Sequence, residues 1–240
     1  MNGGIGFIPA GAVATEVDVA TEWIGPSQGL DGSPANASGF VNRMRSAGAL
    51  VRFNWGEDNA WERDFKDPAF GGTDSAWVDN VDAVFYTGHA DAAGWVFNGS
   101  HDDVRLDHSE ASYGQVDLEW LVIAACGPLQ EGRTPTAWWQ RWGPVFRGLH
   151  LLCGYNNESA DNTVEGGKWA GYMLAGRPVG QAWMLTGIES QWWSRLNVCV
   201  MTSYDGRGVC NITDHFWGKG PVGPDIAVPT GFVLYSSPVD

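Results

Sequence analysis

Three short runs of almost unbroken apolar residues constrain this chain most: VDAVFYTG (81–88), DLEWLVIAAC (117–126) and LHLLCGY (149–155). A strand with one face in water alternates polar and apolar residues, whereas a strand that is apolar throughout must be covered on both faces. Helix-like stretches lie around these runs. In NASGFVNRMRSAG (36–48), Phe40, Val41 and Met44 form one apolar stripe, Asn36 or Ser38 caps the start and Gly48 ends it. TAWWQRWGPVFRG (136–148) reads as a helix with aromatics one turn apart. GGKWAGYMLAG (166–176) reads as a helix closed by Gly176, and VGQAWMLTG (179–187) as a second helix restarted by Arg177 and Pro178. LVRFNW (50–55) is a further strand, and AVATEVDVA (12–20) an early one. LNVCVMTSY (196–204) and GVCNI (208–212) are expected to pair around Asp205-Gly206 as a final hairpin, with Cys199 and Cys210 facing each other across it.

Strands alternating with helices predict an α/β fold, with a mostly parallel central sheet covered by helices on both faces. No repeat or linker interrupts the chain, so a single domain is expected over 1–240, its core at about 36–204 between irregular extensions. The composition, 44% hydrophobic and 18% charged, excludes a disordered chain. A net charge of −14 repels phosphate backbones, so nucleic acid is not an expected partner. No apolar run approaches the length of about 18 residues that a membrane span requires, and no membrane partner is expected. The start, MNGGIGFIPAGAVATEV, has no Lys or Arg before its apolar part, which makes it a poor secretory signal. A cytoplasmic location and reduced thiols are therefore expected. The four cysteines (126, 153, 199, 210) form no CxxC pair, so neither zinc nor any other cofactor is expected. Fourteen tryptophans fill a core, line a pocket for a bulky apolar ligand, or do both.

In parallel α/β sheets, sites form at the carboxyl ends of the strands. The run 81–88 leads into Thr87-Gly88-His89, and the run 117–126 into Ala125-Cys126-Gly127. If the two strands are adjacent, these ends lie side by side. A cysteine nucleophile needs a base, usually an imidazole, and glycines let backbone N–H groups approach a developing oxyanion. His89 and Cys126 are thus the candidate catalytic pair, with Gly88 and Gly127 in the oxyanion neighbourhood. After LVRFNW, a dense polar and aromatic stretch supplies a candidate substrate wall: Trp55, Glu57, Asp58, Asn59, Trp61 and Glu62. Its rings are candidate platforms, and its carboxylates are candidates to orient His89 or a cationic group. Asp91 is another candidate to orient His89, and Tyr155, after LHLL, another pocket residue. His101, Asp102, Asp103, Asp107 and His108 lack the spacing of a metal loop and read as solvated charge.

The order of these motifs resembles the caspase-like cysteine peptidases: caspases, legumains, gingipains and separases. VFYTGHADAAGWVF is similar to the legumain-type segment around the histidine, and WAGYMLAGRPVGQAW resembles the late helix pair of bacterial members. The likeness spans roughly residues 78–190. The FNWG, NAWE, DF, GLHLL and GY motifs further resemble an uncharacterised bacterial branch. The chain departs from many relatives in having Ala90 after the histidine and Gly-Pro-Leu-Gln after the cysteine. The resemblance implies a caspase-like three-layer α/β/α sandwich, with His89 as acid–base and Cys126 as nucleophile. The expected function is a cysteine-dependent hydrolase or acyl-transfer enzyme acting on a peptide or another amide or ester. The first alternative is a natural-product cyclase that folds a bulky apolar small molecule in a Trp-rich pocket on the same scaffold. The second is a non-catalytic binding module. The oligomeric state stays open.

Overall fold

The computed structural model describes residues 16–131 and 136–239. The three apolar runs are strands: β3 (Ala83–Thr87), β7 (Trp120–Ala124) and β8 (Leu151–Tyr155), with every residue buried. They lie together in a seven-stranded sheet with β1 (Asp18–Trp23), β2 (Leu50–Gly56), β9 (Asn197–Tyr204) and β10 (Gly231–Pro238). The strand order is β10-β9-β8-β7-β3-β1-β2. Strands β2, β1, β3, β7 and β8 are parallel; β9 and β10 run antiparallel at one edge.

Connection geometry then decides which layer covers which face. From β1 the chain crosses through α1 (Ser33–Ser46) to β2, in one direction along the sheet. From β3 it steps the opposite way, to β7 and then β8. Crossovers of one hand that move in opposite directions fall on opposite faces. One face accordingly carries α1, α3 (Glu165–Leu174) and α4 (Val179–Ser190), which bury Phe40, Met44, Trp169 and Trp183 against Val19, Phe85, Val122 and Cys153. Phe40 stacks on Phe85 at 5.6 Å and on Trp169 at 5.2 Å.

The other face departs from the expected helical layer. It is covered by a series of 3-10 turns within 57–80, a small antiparallel sheet of β4 (Ala90–Asp91), β5 (Gly94–Val96) and β6 (Arg105–Asp107), and the short helix α2 (Trp138–Trp142). Aromatics rather than helical stripes make this layer cohere: Trp95 stacks on Trp142 at 5.5 Å, and Phe65, Tyr86 and Phe97 pack around them. The fully buried tryptophans are Trp95, Trp120, Trp142, Trp169 and Trp183, so the core reading accounts for only part of the tryptophan content.

Four other expectations are corrected. The helix expected over 136–148 lasts only through Trp142 and continues as a 3-10 turn, Gly143–Val145, because Pro144 offers no N–H. The helix expected from residue 36 begins at Ser33, with Pro34 in its first turn. The early strand runs over Asp18–Trp23, and the expected stretch 12–15 lies outside the described residues. The partner of β9 is β10 rather than 208–212, where Cys210 makes one isolated bridge to Tyr204. Cys199 instead sits in register between Gly154 and Ser236, and all four thiols are free.

Two stability measurements follow. Trp120→Ala removes a fully buried ring from a central strand and is expected to cost ~3–5 kcal/mol in denaturant melts, whereas Trp192→Ala, 69% exposed, stays within ~0.5 kcal/mol. Asp74 is 1% exposed, and burial, helped by the Asp79 carboxylate, pushes its pKa up to about 8. In the unfolded chain it ionises near its ordinary value of about 4. The native state alone therefore keeps this proton between those values, and stability falls as pH rises through the window. Asp74→Asn should flatten the decline in melting temperature from about pH 5 to about pH 8; parallel curves for the two proteins would remove Asp74 from that account.

Candidate active site at the carboxyl ends of the parallel strands

The reversal of direction places a topological switch point between β1 and β3, where open α/β sheets bind ligands. Thr87-Gly88-His89 leaves β3 there, and Ala125-Cys126 leaves the adjacent β7. Both ends line one cavity of about 130 Å³, walled further by Ser33 at the start of α1 and by Ser159, Asp161 and Asn162 after β8. The structure thus brings the sequence-predicted pair into one cleft.

His89 is half-buried, and its Nε2 lies 3.1 Å from the carbonyl oxygen of Gln28. A carbonyl only accepts, so this bond places a proton on Nε2; in the neutral ring the lone pair is then on Nδ1. Gln28 is held in turn by its own N–H on Gly25 O at 2.9 Å and its side-chain amide on Phe97 O at 3.3 Å. The backbone of His89 is pinned where Val96 N–H donates to its carbonyl at 2.9 Å. Gly88 is required by a close approach, since a Cβ there would sit 2.3 Å from the Tyr86 hydroxyl oxygen. That buried hydroxyl donates to Val96 O and ties the turn carrying His89 to β5.

Cys126 is half-buried and meets the loop after β8. Ser159 N–H points at Sγ at 3.5 Å and Ser159 Oγ at 3.9 Å, while the thiol faces Ser159 O at 3.7 Å. Among the described residues no hydrogen bond joins Cys126 to His89; Ser159 occupies the sulfur. The other thiols are in different settings. Cys153 and Cys199 are buried, and burial pushes both up, Cys199 to about 12, while Cys210 is half-buried outside this cleft.

Gly127 has φ +61°, which lets the chain turn sharply after the cysteine. Its N–H donates to Asn157 O at 2.9 Å, so the expected oxyanion contribution from this amide is already committed to the loop. Asp91 lines a neighbouring hollow of about 340 Å³ on Cys126, together with Gln130, Asn157 and Glu158. It does not orient His89. Its carboxylate accepts from Ala93 N–H at 2.8 Å and pairs with Arg105, and these contacts outweigh burial and hold its pKa below the ordinary range.

The expected substrate wall divides. Trp55, Asn59 and Trp61 line a separate cavity of about 230 Å³ with Asp64 and Trp77, which shares no lining residue with the His89–Cys126 cleft. Glu57 accepts from Ser27 N–H at 3.2 Å and Asp58 from the Asn98 amide at 2.8 Å; both hold loops together. Glu62 is 1% exposed and lies 3.0 Å from Lys66 Nζ, a structural pair. Tyr155 is fully buried, its hydroxyl donating to Glu165 Oε1 at 2.6 Å, so it supports the helical layer and lines neither cavity. Beneath the aromatic cavity, burial and the nearby Asp64 hold Glu22 well above the carboxylate range, and Asp64 itself is pushed up to about 6 by burial.

Gln28 and Ser159 were not foreseen. Both follow strands at the same sheet edge, so the rule that led to His89 and Cys126 also covers them. Their contacts use mainly backbone atoms, however, which no side-chain motif announces. Among the described residues, no helix is long and apolar enough to cross a membrane.

No curated protein matches the sequence. A family model for a domain of unknown function, DUF6345, matches residues 21–237, nearly the whole chain, and the protein belongs to that family.

Proposed function

We propose that the protein is a cysteine-dependent hydrolase or acyl-transfer enzyme on a caspase-like scaffold, acting on a peptide or another amide or ester. One observation carries this reading: a cysteine and a tautomer-defined histidine, from the ends of adjacent parallel strands, open into one cleft. The mostly parallel sheet and its two covering layers agree with the scaffold. In the proposed reaction, His89 Nδ1 accepts the Cys126 thiol proton and the thiolate attacks the substrate carbonyl. The N–H groups of Gly88 and Cys126 are assigned to the oxyanion. The resulting imidazolium protonates the leaving amine or alcohol as the tetrahedral adduct collapses to a thioester. Nδ1 then deprotonates water, or an acceptor nucleophile, which attacks the thioester and returns Cys126. Hydrogen bonds of this kind tighten in the substrate complex; here a substrate must displace Ser159 from the sulfur.

The aromatic cavity of Trp55, Trp61 and Trp77 favours a second reading, a cyclase that works by shaping an apolar substrate. Its separation from the thiol cleft counts against one site using both. Removing the thiol in Cys126→Ala should abolish turnover under the first reading and spare it under the second, where Trp55→Ala or Trp61→Ala would do the damage.

Brief iodoacetamide treatment at neutral pH, followed by mass mapping, tests the thiol directly. Cys126 should label faster than Cys210 and far ahead of the buried Cys153 and Cys199, and His89→Ala should slow its labelling by about tenfold. Labelling of Cys126 at the Cys210 rate, unchanged by His89→Ala, would sink the catalytic pair and leave a binding module.

A further inference from the structure

The opposite edge of the sheet concentrates carboxylates. Asp18 opens β1, Asp82 precedes β3, and Asp117 and Glu119 precede β7. The strand register sets this: Val19 pairs with Ala83, and Ala83 with Trp120, so the residues just before them, Asp18, Asp82 and Glu119, stand level across three adjacent strands. One carboxylate oxygen from each of Asp18, Asp82 and Asp117 lies within 4.8 Å of the others. Asp18 and Asp82 are buried, and Asp117 is exposed at the rim.

Local hydrogen bonds do not satisfy this cluster. Asp82 Oδ2 accepts from Asp18 N–H at 2.6 Å and Asp18 Oδ1 from Asp82 N–H at 3.2 Å, which uses one lone pair on each oxygen. Arg52 Nε reaches Asp18 Oδ2 at 2.5 Å with its side chain half exposed. Glu119 is 8% exposed, and its Oε2 is buried without any hydrogen-bond partner. Glu119 stands level with Asp82 in the register of β3 and β7, and the charges of Asp82, Asp117 and Asp225 act on its carboxylate. His150, beside Asp225, is committed to Asp214 and Asp225 through its two ring nitrogens. Buried carboxylates in excess of cations, one of them an orphaned acceptor, are neutralised either by taking up protons or by a positive ligand.

We propose that the amino ends of β1, β3 and β7 form a calcium site, with Asp18, Asp82 and Asp117 as ligands and Glu119 completing the charge around it. All donors are hard oxygens, which suits calcium and not zinc. Separations within 4.8 Å fit two calcium–oxygen bonds of about 2.4 Å on one ion. The exposed Asp117 gives the ion a route in and room for waters. The site is a strand length, roughly 16 Å, from the thiol cleft and is independent of that chemistry.

Thermal melts of the full-length chain, stripped with EDTA and titrated with calcium chloride, test this. Calcium should raise the melting temperature by several degrees, and Asp117→Asn, an exposed change that leaves the core alone, should raise the half-saturating calcium concentration about tenfold. Asp103→Asn, an exposed acid elsewhere, should match wild type. Terbium emission, sensitised through Trp120, which follows Glu119, and through Trp217, whose ring lies 6.1 Å from that of Trp120, should appear on binding and be displaced by calcium. The proposal is overturned by no shift up to about 10 mM calcium, by a half-point unchanged in Asp117→Asn, or by magnesium acting as strongly at equal concentration.

Discussion

Burial of β3, β7 and β8 on both faces is the constraint on which the rest of the structure depends. Fifteen core positions, in runs of five on three neighbouring strands, offer no face to water. Each side of the sheet must then be roofed, and parallel strands must be joined by crossovers long enough to do it. The chain meets this with two unlike roofs. α1, α3 and α4 pack by helical stripes. The opposite roof has little regular structure and relies on large rings, Trp95 on Trp142 above all, to bury enough apolar area per residue. That is one reason the chain carries so many tryptophans.

The same constraint exports polarity to the two sheet edges. Strands sealed on both faces can place reactive groups only where they begin or end. At the carboxyl ends the chain puts glycine, histidine and cysteine beside a switch point; at the amino ends it puts a row of aspartates and Glu119. Two polar residues inside β1 have partners, although Glu22 Oε1 is left without a hydrogen bond. Thr21, in β1, donates to Phe85 O at 2.6 Å, and Glu22 accepts from Trp61 N–H at 3.2 Å.

Those internal partners also explain what was legible. Continuous apolar runs signalled β3, β7 and β8, and strand ends then pointed to His89 and Cys126. β1 was harder to see, since DVATEW breaks the apolar pattern with Thr21 and Glu22 although both are fully buried. β10 was hidden for the opposite reason: at the sheet edge, GFVLYSSP is half exposed and ends in proline. Gly143-Pro144 marked the end of α2, yet the aromatic spacing around it suggested a longer helix. The polar stretch after LVRFNW follows β2 at the carboxyl edge of the sheet, but sequence proximity could not show that its rings form a second cavity.

The contacts that distinguish the candidate site are backbone contacts. A carboxylate partner would orient His89 and also add a negative charge beside it; the Gln28 carbonyl orients the ring while adding none. The nearest candidate carboxylate, Asp91, is kept on Arg105 instead. Ser159 meets Cys126 partly through its main chain, so the position of the sulfur depends on the conformation of the loop after β8. Because Gly127 N–H and Leu129 N–H bond to Asn157 O and Tyr155 O, that loop and the turn after Cys126 are fastened together and must shift as one unit. In the proposed reaction, bringing the sulfur toward Nδ1 breaks its contacts with this fastened loop, and substrate binding would supply the free energy for that step.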